Sequence, residues 1–235
     1  MSIVRTMLPQ PNKAWYFKGD GYISVPLSPT FTSDRTWELW INPPLNLVTV
    51  PYVNQTIYEE GVTYAGQMFY VYANVNPGRL AVDCWGRGWY FSSYKINIYQ
   101  WNHVVFTYNH TSKKGKYYIN GVFDVETPAY RETGFFNTDR AYVGGNPMRA
   151  SGRYYNGYIA VARVYNKELS VSEIRHNMLN PNNPIRDGLV LWLDARACDV
   201  SKNICYDLSG NGNHGTMYNV SIVTLPNQIA PGMVM

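Results

Sequence analysis

Residues 101–122 read WNHVVFTYNHTSKKGKYYINGV. Residues 102–109 form a run of β-branched and aromatic side chains, so they read as a strand. Ser112-Lys113-Lys114-Gly115 is turn chemistry, and the strand that follows ends at Asn120-Gly121, the pair preferred at a two-residue hairpin bend. The same grammar extends to both sides. Upstream, RTWELWINP (35–43) alternates Trp37, Leu39 and Ile41 with Glu38, Trp40 and Asn42, which predicts one buried face and an opposite face carrying Trp40. KAWYFKGDGYISVP (13–26) reads as two strands hinged at Gly19-Asp20-Gly21, a hairpin signal. GQMFYVYANV (66–75) and GRLAVDCWGRGWYFSS (78–93) are separated by Asn76-Pro77-Gly78. RAYVGGN (140–146) and GYIAVARVYNKEL (157–169) close the series. The period-2 pattern predicts Trp37, Leu39, Val105, Tyr118, Ile159 and Val161 as inward-facing.

A single helix is expected. Ser170 and Glu173 make a capping box that opens SVSEIRHNMLN, with the helix at about 171–179, and the NPNNP of 180–184 stops it. The chain therefore divides into an arm (1–12), a β domain (13–180), a linker (181–187) and a C-terminal β segment (188–235). Many short strands with one late helix indicate an all-β jelly-roll sandwich. Composition agrees. The chain has 235 residues, 46% hydrophobic, 15% aromatic and 15% charged, enough to bury a core and too apolar for disorder. A net charge of +4, with no basic cluster longer than the KKGK of 113–116, argues against nucleic acid as partner. No apolar run is long enough to span a membrane. Of three cysteines, Cys198 and Cys205 flank DVSKNI and would clip a hairpin as a disulfide, whereas Cys84 reads as a buried thiol.

These motifs together resemble the laminin-G-like, concanavalin A-like lectin/glucanase jelly-roll family. AWYFKGDGYISVP is similar to the family's opening strand pair, TWELWINP to the strand that follows, and WNHVVFTYNHTSKKGKYYINGV to its WxHVAxTYD…YVNGV hairpin. YVGGN followed by YNGYIAVARVYNKELSVSEI matches its IGGN…FxGxIDEVRIYNRALSxxEI. One module is out of order. GLVLWLDA…YDLSGNGNHGTMYN is similar to the segment that normally opens such a domain, yet here it stands last.

The chemistry of the chain leaves two functional readings open. No E-x-D-x-x-E run, nucleophile elbow or HExxH is present, and Glu59 and Glu60, being adjacent, would point to opposite faces of a strand. Glycoside hydrolysis therefore ranks third, and the chain is read as non-enzymatic. Asp207, Asn211 and Asn213 on a Gly-rich loop, joined by Asp20 if the two loops meet as the resemblance implies, offer oxygen ligands to calcium. Trp85, Arg87, Trp89 and Tyr90 form one candidate patch for a glycan or partner surface, and Tyr154 with Tyr155 a second.

The leading expectation is a structural, self-assembling protein of a virion or an extracellular filament. In it the misplaced C-terminal segment is donated to the next subunit through Leu189, Leu191, Leu193 and Ile222. The alternative is a lectin-like, carbohydrate-binding adhesion module. An extracellular or virion-surface location without a standard signal peptide is expected.

Overall fold

The computed structural model describes residues 9–27, 33–43, 54–62, 65–72, 78–84, 89–129, 140–148 and 153–225. In chain order the strands are β1 (Lys13–Lys18), β2 (Tyr22–Val25), β3 (Arg35–Asn42), β4 (Asn54–Val62), β5 (Ala65–Tyr72) and β6 (Arg79–Cys84). They continue as β7 (Trp89–Lys95), β8 (Asn102–Asn109), β9 (Lys114–Ile119), β10 (Val122–Glu126), β11 (Ala141–Val143) and β12 (Asn156–Tyr165). Helix α1 (Val171–Leu179) precedes β13 (Leu189–Asp194), β14 (Cys198–Asp199), β15 (Ile204–Cys205), β16 (Gly215–Tyr218) and β17 (Ser221–Thr224).

Two sheets form a sandwich. The first, eight-stranded, runs β10-β9-β8-β3-β12-β1-β17, with β13 also paired to β12. The second, nine-stranded, runs β14-β15-β16-β2-β11-β4-β5-β6-β7. Trp37, Leu39, Ile41, Val104, Phe106 and Ile159 from the first sheet meet Ile23, Val25, Tyr58, Phe69 and Val82 from the second in the inter-sheet core. A buried ion pair also crosses between the sheets: Arg35 donates to Glu60 Oε1 at 2.9 Å, and the Tyr58 hydroxyl donates to the same oxygen at 2.7 Å.

The expected hairpin at Asn120-Gly121 is present, with positive φ at both residues and β9 paired to β10. The one expected at Gly19-Asp20-Gly21 is not a hairpin. The turn is a corner: β1 belongs to the first sheet and β2 to the second. The turn between β16 and β17 makes the same change of sheet alongside it. The two corners touch at Gly21, where any Cβ would come within 2.4 Å of the Asn219 carbonyl oxygen.

The C-terminal segment completes its own chain's sandwich. Strand β12 has two successive partners on one side. β1 pairs with it from Lys18↔Asn156 to Trp15↔Ile159, and β13 takes over from Asp194↔Val161 to Leu189↔Tyr165. β16 then pairs with β2, and β17 with β1, where Ile222 lies opposite Trp15. Leu189, Leu191 and Leu193 are buried in this chain and Ile222 is half-buried. The expected donation to a neighbour is thus corrected: the open edges that argued for it are filled from within, and 188–225 is no separate module. The Cys198–Cys205 disulfide is formed and clips β14 to β15, with the Trp15 indole N–H within 3.1 and 3.2 Å of its two sulfurs. The side chain of Cys84 lies outside the described residues.

Trp40 corrects a further expectation. It is 1% exposed, in a second apolar cluster on the outer face of the first sheet with Val105, Tyr118, Val161, Ile174, Met178 and Trp192. Helix α1 and β13 bring the covering residues. Val105 and Tyr118 therefore point away from the inter-sheet core, which takes Val104 and Tyr117 instead. Val161 does so because the ladder with β3 shifts between Ile159 and Val161. That bulge reverses the alternation beyond it.

Under the helix lies a buried polar row. Glu38 accepts from Arg163 Nη1 at 2.5 Å and from Asn177 Nδ2 at 2.7 Å, and His103 Nε2 is 3.1 Å from its Oε1. Arg163 also donates to the Pro181 carbonyl, tying down the chain that leaves the helix. Burial alone would raise the Glu38 pKa, but the Arg163 charge and the hydrogen bonds from His103 and Asn177 hold it down at about 2. The helix itself begins as expected: Ser170 Oγ accepts from the Glu173 N–H at 3.3 Å, and the Glu173 carboxylate accepts from the Ser170 N–H at 2.8 Å.

Candidate functional site

The outer face of the nine-stranded sheet is built differently. Cross-strand register puts Thr216, Ser24, Tyr142 and Glu59 in one row, which continues across β5 to Asp83 and Trp89. All of them face away from the core because their neighbours Ile23, Val143, Tyr58 and Val82 face into it. Tyr22 and Tyr218 are paired one step along.

Four tyrosines gather there. The Tyr22 and Tyr218 rings stack with centroids 4.7 Å apart at an interplanar angle of 17°. Tyr142 meets Tyr22 edge-on at 6.1 Å, and Tyr154 lies 6.3 Å from it. Tyr154 is held by a bridge to Thr56, and its ring rests on Gly145, where a Cβ would come within 2.2 Å of it. Polar groups flank the rings. Arg140 Nη1 donates to Ser24 Oγ at 3.1 Å, and Asn146 Nδ2 donates to Glu59 Oε1 at 3.0 Å. Burial raises the Tyr22 pKa, with Tyr218 and Tyr154 adding to the effect. Burial, then Asp20, raises that of Tyr154. Both phenols therefore stay protonated and able to donate at neutral pH. Tyr218 is 46% exposed, so the stack presents an aromatic surface to solvent beside the exposed Arg140, with Ser24 and Asn146 buried beneath. Such a surface can pack against the C–H face of a ring while the polar groups bond its substituents.

Of the sequence-derived candidates, Tyr154 belongs to this cluster. Tyr155 does not: alternation sends it inward, fully buried, edge-on to Phe17. Trp85 and Arg87 lie outside the described residues. Trp89 and Tyr90 are both half-buried, on opposite faces. Trp89 packs on Ala81 on the outer face, and Tyr90 packs against the inter-sheet core. They do not form one patch, since adjacent strand residues diverge.

The calcium loop is also corrected. Both Asp207 oxygens are taken by internal donors: Oδ1 by the Trp192 and Ser209 N–H groups at 2.9 Å, and Oδ2 by Ser209 Oγ at 2.7 Å and the Asn213 N–H at 3.0 Å. Asn211 and Asn213 turn their amides to the Val190 carbonyl. The loop is a brace for β13, and among the described residues no group of three or more His, Cys, Asp or Glu could hold a metal ion. Asp20 stands exposed at the corner near Tyr154.

Tyr22, Tyr142 and Tyr218 were missed. Their signal was alternation, Tyr22 against Ile23 and Tyr142 against Val143. Only the pairing of β16 with β2 brings Tyr218 to Tyr22.

The family model of the concanavalin A-like lectin/glucanases superfamily (Laminin_G_3) matches residues 17–175. The chain belongs to this superfamily. Among solved members of similar fold is a candidate carbohydrate-binding protein of Bacteroides ovatus ATCC 8483, with TM-score 0.69 and 22% identity over 93% of this chain. The chain spans 61% of that protein's length. A heptameric SAP-like pentraxin of Limulus polyphemus gives 0.58 at 12% identity, covering 72% of this chain and 82% of its own. Domain 4 of AbnA, an extracellular arabinanase of Geobacillus stearothermophilus, solved with arabinotriose, gives 0.53 at 19% identity, with 70% and 76% covered. No match is found among curated proteins. At these identities the likeness concerns the concanavalin A-like fold. The family match ends at residue 175, although β13 to β17 are integral to both sheets. Among the described residues, no helix is long and apolar enough to cross a membrane.

Proposed function

We propose that the chain is a non-catalytic, extracellular carbohydrate-binding module that holds its glycan on the tyrosine cluster of the nine-stranded sheet. The observation that carries this reading is the solvent-facing Tyr22–Tyr218 stack, flanked by Tyr142, Tyr154, Arg140 and Asn146. Sugar rings bind to flat aromatic surfaces beside convergent polar groups. Glu38 and Glu60 are each committed to a buried arginine, so neither is offered as a catalytic carboxylate. The disulfide suits an oxidising environment. The superfamily's carbohydrate-binding members support the same reading. Self-assembly into a virion or filament loses its main argument once β13 and β17 pair within their own chain.

The test is a glycan array followed by calorimetry of the best ligand with the wild type and Tyr218→Ala. Loss of a stacking platform should weaken binding by about tenfold or more, on the scale of about 1–3 kcal/mol for an aromatic stack. An empty array, or unchanged affinity in Tyr218→Ala, would overturn the proposal.

A further inference from the structure

A cavity of about 280 Å³ lies on the opposite side of the molecule, over the outer face of the eight-stranded sheet. It occupies the seam where β12 changes partner. β1 pairs as far as Ile159, β13 begins at Val161, and Ala160 between them is the extra residue of the bulge against β3.

 Because of that bulge, Ala160 and Val161 both point outward, and the small Ala160 side chain leaves a dent beside the Trp40 indole. The arm of residues 9–13 walls one side, and Pro181 and Asn182 the other. Among the described residues the buried Trp40 Nε1–H meets no acceptor.

The charge at the mouth is uneven. Asp194 lines the cavity, but its carboxylate is spent: Arg196 Nε donates to Oδ1 at 2.8 Å and Nη2 to Oδ2 at 2.5 Å. Arg196 retains its outer guanidinium edge, and Lys13 is exposed at the rim. The lining therefore carries one ion pair, Arg196 with Asp194, and one further cation, Lys13, for a net charge of +1. Its size is at the lower end of ligand pockets, room for one ring rather than a chain. From the apolar floor, the excess of donors and the net positive rim, we propose that this cavity binds a single carboxylate-bearing sugar ring of the uronic acid class. The ring would lodge between Pro9 and Pro11 of the arm and Pro181, above the buried Trp40 and Ala160, with its carboxylate toward Arg196 and Lys13. This site is separate from the tyrosine cluster and does not rest on it.

The test is a titration of the full, isotope-labelled chain with glucuronate and, in parallel, glucose, followed by nuclear magnetic resonance. Glucuronate should shift the Trp40 indole and Ala160 amide signals saturably, and glucose should not. Ala160→Leu, which fills the dent, should abolish the shifts. Lys13→Gln, at an exposed position that leaves the packing alone, should weaken binding by about two- to fivefold, as an exposed ion pair would. Tyr218→Ala should leave the titration unchanged, which separates this result from that for the glycan face. Absence of saturation, equal response to glucose, or full affinity in both folded Ala160→Leu and Lys13→Gln proteins would overturn the proposal.

Discussion

The outer faces of the two sheets share one alternating pattern and differ in where they reach solvent. On the eight-stranded sheet the row Arg163, Glu38, Val105 and Tyr118 is roofed by α1 and its neighbours, so even a charged pair there is fully buried. On the nine-stranded sheet Ser24, Tyr142 and Glu59 are buried as well, but their row adjoins a tyrosine stack that reaches solvent through Tyr218. Alternation tells which residues share a face. It does not tell what, if anything, covers that face. Charge does not decide it either, because a buried Glu38 is tolerated once Arg163, His103 and Asn177 satisfy it.

Three measurements sharpen this contrast. The largest effect is expected from Glu38→Ala. Removing the carboxylate leaves Arg163 buried without its counter-charge, which should cost about 3–5 kcal/mol in a urea unfolding experiment. Tyr218→Ala, at the solvent-reaching end of the other face, should stay within about 0.5 kcal/mol of wild type in the same experiment. Equal losses from the two would erase the distinction between a roofed charged pair and a solvent-reaching stack.

Acid should attack the roofed face next. Glu38 has a folded pKa of about 2, below its ordinary value of 4.5. A depressed carboxylate contributes stability that is fully present above the unfolded pKa and is lost as pH falls through the folded one. The melting temperature should therefore fall between about pH 4.5 and pH 2, by the equivalent of about 3 kcal/mol from this group. In Glu38→Gln that part of the decline should vanish. An identical acid profile in the two proteins would show that the buried row does not control the transition.

The smallest effect expected on the roofed face concerns how the roof is attached. Ser170→Ala removes one half of the capping box and should cost about 1 kcal/mol. Because α1 covers Trp40 and Glu38, the loss should also speed hydrogen exchange in α1 before the inter-sheet strands. Uniform acceleration throughout the chain would mean that the helix and the sandwich open as one unit.

Several features were legible in the residues themselves. The strand-turn grammar of 101–122, the positive-φ bend at Asn120-Gly121, the capping box at Ser170 and the clip between Cys198 and Cys205 are all local, and each appears where its residue chemistry puts it. Tyr154 was also legible as a candidate. Its partners were not, because Tyr22, Tyr142 and Tyr218 lie far apart in the chain and become neighbours only through β2, β11 and β16.

By itself, then, the sequence determined the all-β character, the helix and its cap, the superfamily and the parity of β3, since these depend on turn chemistry and on a side-chain period of two; in β8 and β9 both parities are apolar, and Val105 and Tyr118 face outward. Tertiary structure decided the rest. It made a corner of Gly19-Asp20-Gly21, reversed the parity of Val161 through a bulge, and laid β13 end to end with β1 along β12. The physical reason is common to all three. An open strand edge and an uncovered apolar face are each satisfied by whichever segment can reach them, and reach is a property of the folded chain. The C-terminal segment that looked like a strand for a neighbour reaches its own chain first, where pairing carries no cost of bringing two molecules together.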